Sequence, residues 1–163
     1  MDGYSLRKIK NKIELKKIVE NLKKHGKIIV FTNGCFELLH PGHIEILEKA
    51  KSLGDILIVG INSDNSVKEI KGEKKLILDE KSRLRIISSL EVVDYVILFD
   101  EKTPENLISE LKPDIHVKGG DYKIEDLPEA KIVEDYGGKV FIFPLLEEFS
   151  TTKIIEKILK LYK

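Results

Sequence analysis

Residues 5–24 place Leu6, Ile9, Ile13, Val19 and Leu22 at helical spacing among lysines. That pattern predicts an amphipathic helix whose apolar face needs a neighbour. His25-Gly26 ends it, with Gly26 as the C-cap glycine. Lys27 to Thr32 then reads as a continuous apolar, β-branched run, the pattern of a strand covered on both faces. The alternation repeats along the chain. Helical spacing from Ile44 to Ser52 precedes a strand from Asp55 to Ile61, and helical spacing from Asp79 to Leu90 precedes one from Tyr95 to Phe99. Thr103-Pro104-Glu105 opens another helix, with Thr103 as N-cap and Pro104 at the first helical position. It stops near Lys112-Pro113, ahead of a short strand from Asp114 to Val117. Glu129 to Tyr136 reads as helix, Gly137-Gly138 ends it, and Val140 to Phe143 forms a fifth strand. Ser150-Thr151-Thr152 caps a last amphipathic helix carrying Ile154, Ile155, Ile158, Leu159 and Tyr162.

Short apolar strands alternating with helices imply an α/β fold, a doubly wound five-stranded parallel sheet. No linker, repeat or low-complexity stretch divides the chain. Residues 1–163 are therefore expected to form one domain, with 1–25 a helical extension and 26–163 the core. In such folds ligands bind beyond the carboxyl ends of the strands, where the winding reverses. Chemistry is therefore sought just after each strand.

Composition narrows the picture. The 28 Lys+Arg cancel 28 Asp+Glu, which argues against bulk electrostatic binding of nucleic acid. A single cysteine, Cys35, excludes a disulfide scaffold and a cysteine-ligated zinc site. No apolar run reaches the roughly 18–20 residues that cross a membrane, and the Lys-rich start does not read as a signal peptide. The expected setting is the cytoplasm. Charged residues make up 34%, and Trp and Gln are absent. This bias leans toward a thermophile. The expected assembly is a homodimer through apolar faces of the terminal helices.

The most informative stretch follows the first strand, Thr32-Asn33-Gly34-Cys35-Phe36-Glu37-Leu38-Leu39-His40-Pro41-Gly42-His43. Gly34 lets the backbone turn and bring N–H groups close to a ligand. His40 and His43 are three apart at the start of a helix, so both can face one point. Free N–H groups and the positive dipole end already favour a phosphate there. Two other readings of the pair stay open: a metal site with His116 as third ligand, and a purely structural role.

This stretch resembles the His-x-Gly-His signature of the cytidylyltransferase-like nucleotidyltransferases. Three further stretches fit that family in order: Asn62-Ser63-Asp64, Lys118-Gly119-Gly120-Asp121-Tyr122 and Ser150-Thr151-Thr152-Lys153-Ile154-Ile155. Within the family, the last two resemble the heptose 1-phosphate adenylyltransferase domain of ADP-heptose synthesis. The resemblance covers residues from about 26 to 158 and implies a Rossmann-like nucleotidyltransferase fold. The chain departs from the pattern at Glu37, where the family usually has Asp, and at Lys157, where many members have Arg. It also lacks the sugar kinase often fused to this domain, which implies a stand-alone transferase served by a separate kinase.

The resemblance implies transfer of AMP from ATP to a sugar phosphate, with Mg2+ bridging the ATP phosphates and no dedicated protein metal site. It makes His40, His43 and Lys71 the catalytic group. Thr32, Asn33, Gly34, Cys35 and Phe36 would cradle the nucleotide with Lys118, Gly119 and Asp121. Ser150, Thr151 and Thr152 would offer hydroxyls and a helix N-terminus to the β- and γ-phosphates, or serve as an ordinary cap. Asp64, Lys71 and Arg83 would bind the sugar phosphate, with Lys74 a further candidate. For Arg83 a surface ion pair is the alternative, for Asp64 a helix cap, and for Asp121 a bare turn. Cys35 is expected to pack, and His25 and His116 to be structural. The cations Lys71, Lys74, Arg83, Lys118 and Lys153 should then gather at the strand ends, and the acidic residues should lie mainly on solvent-facing helices.

Overall fold

Ile29, Val30 and Phe31 of strand β1 (Ile29–Gly34) have no solvent exposure. Alternate side chains of a strand face opposite ways, so both faces of β1 must be covered. The computed structural model describes residues 3–73 and 76–163, and in it helices cover both. On one face Ile29, Phe31 and Ile58 cluster with Leu15 and Val19 of α1 (Lys12–Lys24), Leu107 and Ile108 of α5 (Glu105–Leu111) and Val133 of α6 (Pro128–Asp135). On the other, Val30, Leu57 and Val59 cluster with Ile46 and Leu47 of α2 (Pro41–Ser52) and Ile87 of α4 (Glu80–Ser88). Burying each such side chain is worth about 1.5–3 kcal/mol against leaving it exposed.

Strands β2 (Ile56–Asn62), β3 (Tyr95–Phe99), β4 (Ile115–Gly119) and β5 (Lys139–Phe143) complete a parallel sheet of order β3-β2-β1-β4-β5 among the described residues. Helices α3 (Asp64–Lys71) and α7 (Thr151–Leu161) finish the set. No helix among the described residues is long and apolar enough to cross a membrane.

The sheet register locates the crevice. β1 pairs with β2 from Ile29↔Ile56 to Gly34↔Ile61, but with β4 only from Val30↔Ile115 to Thr32↔Val117. The Thr32 hydroxyl donates to the Val117 carbonyl at 2.8 Å, at that last rung. Beyond it β1 and β4 part, which opens the sheet where its winding reverses.

Several local expectations are corrected. The helix expected over 5–24 is two elements, a 3-10 turn (Tyr4–Lys8) and α1. The chain between them joins the open edge of β3: Ile9 forms a parallel bridge with Val96, and the Lys10 N–H donates to the Val96 carbonyl at 2.9 Å. Asn11 then starts α1 as N-cap, accepting from the Glu14 N–H at 2.9 Å. An unpaired sheet edge competes successfully with local helical spacing. Helix α5 begins at Glu105 with Pro104 at the N-cap position, and the Thr103 hydroxyl donates to the Glu105 carboxylate at 2.7 Å instead of capping the backbone. Helix α2 begins at Pro41, three residues earlier than its apolar spacing suggested. Ser63, not Asp64, caps α3.

Candidate active site

The start of α2 sets the geometry. His40 occupies the N-cap position with extended backbone, and Pro41 fills the first helical turn, where a missing N–H costs nothing. One turn on, the His43 ring stacks on the His40 ring with centroids 3.8 Å apart. Phe36 flanks His43 at 5.2 Å, and Phe149 flanks His40 at 6.4 Å. A Cβ on Gly42 would lie 2.9 Å from His40 Cε1, so only glycine leaves the ring in place.

Burial lowers the pKa of both imidazoles. His43 is pushed down to about 4, first by desolvation, then by the charge of His40 and Lys71. Desolvation alone lowers His40. The pair is therefore neutral at pH 7.

A cavity of about 510 Å³ lies over the parted strands. Its floor is the Thr32–Glu37 segment with His43. Asn62, Lys71 and the Lys102–Pro104 loop after β3 form one wall. Lys118, Gly119, Tyr122, Leu127, Glu129, Leu145 and Thr151 form the other. Phe36 has φ +51, an uncommon conformation for a bulky residue that costs about 1–3 kcal/mol. Arg83 restrains this loop, because its Nη1 donates to the Cys35 carbonyl at 2.8 Å.

Thr32, Asn33, Gly34, Cys35, Phe36, His43, Lys71, Lys118, Gly119 and Thr151 thus line one cavity, as their sequence positions suggested. His40 lies behind His43. Thr152 and Asp121 are exposed and do not line the cavity. Ser150 is the N-cap of α7, accepting from the Lys153 N–H at 3.1 Å. Ser150→Ala is expected to cost about 1 kcal/mol of stability, readable by urea denaturation. Lys74 lies outside the described residues.

Arg83 corrects the expectation of direct substrate contact, while Asp64 is partly exposed and pairs with it. Arg83 has no exposure and lies beneath the cavity. Its Nη2 donates to the Asp64 carboxylate at 2.8 Å, its Nη1 also to the Asn62 carbonyl at 2.6 Å, and its Nε to the Leu78 carbonyl at 3.1 Å. Its donors face the protein, so Arg83 shapes the site without lining it. The surface ion pair is equally ruled out by its burial.

The expected charge separation also needs correction. The lining lysines Lys71, Lys102 and Lys118 face three lining carboxylates, Glu37, Asp126 and Glu129. Lys153 turns away, its Nζ donating to the Glu147 carbonyl. Burial lowers the pKa of Lys118, and the nearby Glu129 partly opposes that. Glu129 is paired with His116, Oε1 to Nε2 at 3.0 Å, and both are buried. That pairing gives His116 a structural partner. No group of three or more His, Cys, Asp or Glu that could hold a metal occurs among the described residues.

Three buried side-chain atoms among the described residues have no hydrogen-bond partner: Asn33 Oδ1, Glu37 Oε1 and His40 Nδ1. All belong to the Asn33–His40 loop. The protein itself, among the described residues, supplies these three atoms with no partner.

Sequence reasoning missed Glu37 as a cavity residue, the Lys102–Pro104 wall and the Glu129 wall. Lys102 directly follows β3, so the strand-end rule pointed to it. Glu129 carried no signal, because an acidic residue in a first helical turn is ordinary.

Residues 31–157 match the cytidylyltransferase-like family. The chain belongs to that family. The bifunctional protein HldE of Geobacter metallireducens is 52% identical over 155 residues, which is 95% of this chain and 32% of the relative. That of Koribacter versatilis is 47% identical over 150 residues, 92% of this chain and 31% of the relative. The chain thus spans about a third of the length of these relatives. The lipopolysaccharide core biosynthesis protein from Thermoplasma volcanium is 37% identical, with a TM-score of 0.60, covering 74% of this chain and 98% of that one. Pantoate-beta-alanine ligase from Francisella tularensis, at 20% identity and TM-score 0.61 over 93% of this chain and 77% of that one, shares the fold.

Proposed function

We propose that this chain transfers AMP from ATP to a sugar phosphate, with D-glycero-β-D-manno-heptose 1-phosphate as acceptor and ADP-heptose and pyrophosphate as products. The observation that carries the reading is the stacked His40–His43 pair at the N-terminus of α2, beside a nucleotide-sized cavity with Lys71 on one wall and Lys118 on the other. The choice of sugar rests on the Lys-Gly-Gly-Asp-Tyr and Ser-Thr-Thr stretches, and on likeness to a lipopolysaccharide core biosynthesis protein.

The acceptor's phosphate has a second pKa of about 6, so it is ionised at neutral pH and needs no general base. Its oxygen attacks the α-phosphorus of ATP. A new P–O bond forms as the bond to the β-phosphate oxygen breaks, and the electron pair leaves with pyrophosphate. The protein's task is to hold two polyanions in line and to stabilise charge on the transferring group. His43, with His40 behind it, donates to the phosphoryl oxygens. The Asn33–Phe36 backbone and Thr151 position the nucleotide. Lys71 draws the acceptor's phosphate.

Mg2+ would accompany ATP and neutralise phosphate charge. The unpartnered oxygens of the Asn33–His40 loop suit so hard a cation. The reading includes one catalytic domain with an N-terminal helical extension, working in the cytoplasm where ATP is the donor. It also includes a homodimer through the apolar flank of α7, where Ile158 and Leu159 are 48% and 56% exposed.

The test is a pyrophosphate-release screen crossing ATP and CTP with heptose 1-phosphate, glycerol 3-phosphate and FMN. Release with ATP and heptose 1-phosphate above all other pairs is the expected result. Release with another pair moves the assignment to a sister transferase, and release with none favours a nucleotide sensor.

A further inference from the structure

Glu37 is 3% exposed and lines the cavity. Its Oε2 meets Lys71 Nζ at 3.4 Å, while its Oε1 is buried without a partner among the described residues. Asn33 Oδ1, in the same cavity wall, is also buried and unpartnered. A buried carboxylate oxygen in a cavity for phosphates poses an electrostatic problem. It repels phosphate oxygens, and no N–H among the described residues reaches it. A cation between the carboxylate and the phosphates resolves both conflicts.

Both orphaned atoms are hard oxygen acceptors, one anionic and one neutral. That donor set suits Mg2+ or Mn2+, which characteristically take one or two protein oxygens and fill their remaining positions with substrate phosphates and water. The loop that carries them is held from below by Arg83 through the Cys35 carbonyl, which lies between the two residues in the chain. Outer contacts of this kind orient metal ligands.

We propose that Glu37 Oε1 and Asn33 Oδ1 are the protein's ligands to a divalent cation that bridges the nucleotide's phosphates. The inference rests on the nucleotidyl-transfer reading. It also gives Lys71 a second duty: paired to Glu37 while the cavity is empty, it turns to the acceptor's phosphate once the cation claims the carboxylate.

The experiment is calorimetric titration of ATP into the protein, in Mn2+ and in EDTA, with Mn2+ paramagnetic resonance of the complex as a second readout. Wild type should bind ATP at least ~10-fold tighter with Mn2+. Glu37→Gln should lose most of that ratio and broaden the change in the Mn2+ spectrum toward that of free Mn–ATP. In EDTA it should bind ATP as tightly as wild type or tighter, because a negative charge has gone. Lys71→Met, which removes a lysine that serves the acceptor, should keep the ratio between the two arms, and this separates loss of the ion pair from loss of a ligand. Should Glu37→Gln fail to fold, Asn33→Ala gives the same test through the ratio. A Glu37→Gln protein that keeps the full ratio overturns the proposal. So does one that weakens ATP equally in both arms, which would mean Glu37 meets a substrate hydroxyl. A wild type with no metal-dependent gain also overturns it, while leaving nucleotide binding intact. No ATP binding in either arm overturns the nucleotide reading, and this inference with it.

Discussion

Replacing His43 by alanine is expected to lower turnover at least ~10²-fold while leaving the far-ultraviolet circular dichroism unchanged, because a donor to the transition state is lost and little else. The ring sits between Phe36 and His40, with its Nδ1 in a long 3.4 Å contact with the His40 backbone N–H. With Nδ1 accepting, the ring proton resides on Nε2, the nitrogen that the reading assigns to a phosphoryl oxygen. A near-normal rate of pyrophosphate release by this variant would remove His43 from the mechanism.

The same variant carries a pH signature. The pKa of His43 is lowered by burial from 6.5 to about 4. Between those values the unfolded chain binds more protons than the folded one. Stability is therefore fully present above pH 6.5 and is lost as pH falls toward 4. The loss reaches about 3 kcal/mol if the full shift is realised. Thermal melts of the ligand-free protein from pH 8 to 4 should fall more steeply for wild type than for His43→Ala. Parallel curves would show that His43 does not titrate as its burial demands.

Replacing Arg83 is expected to be the most damaging single change to stability, at about 3–5 kcal/mol by urea denaturation. The guanidinium is fully buried and donates to the carbonyls of Cys35, Asn62 and Leu78 and to the Asp64 carboxylate. Arg83→Met would leave these acceptors without their donor, each at a desolvation cost of about 1–3 kcal/mol, moderated wherever water reaches. Arg83→Lys should recover little, because a single ammonium cannot span four acceptors arranged for a planar fork. ATP affinity should fall further than the stability loss explains, since the Cys35 carbonyl is one of the points that hold the phosphate loop. A lysine variant as stable as wild type would show that the network is not what holds this corner together.

Much of the fold was legible because it depends on short-range pattern. The buried strands are continuous β-branched runs, and sheet order decides only which of them lie side by side. The Asn33–His43 loop was legible for a related reason. A glycine after a strand, then two histidines one helical turn apart, sets loop and rings at one helix start before any tertiary contact forms; the family resemblance, not the spacing, chose phosphate over a metal or a structural role. The N-terminal segment was misread because Ile9 takes its partner from Val96. A partner so distant in the chain leaves no trace in local periodicity.

What the amino-acid sequence determined by itself is therefore the alternation of strands and helices, and the chemistry carried on the loops between them. Only the tertiary structure decided which charged residues face inward. Arg83 could as well have lain on the surface, and it is buried because α4 packs with that face against the ends of β1 and β2. Glu129 looked like an ordinary first-turn acid, and it meets His116 because α6 folds back over β4. Glu37 differs from its family's usual aspartate by one methylene, and its environment decided that one oxygen would meet Lys71 and the other no partner among the described residues. Burial and pairing of charge are sums over neighbours distant in sequence, so they exist only once the chain has closed on itself.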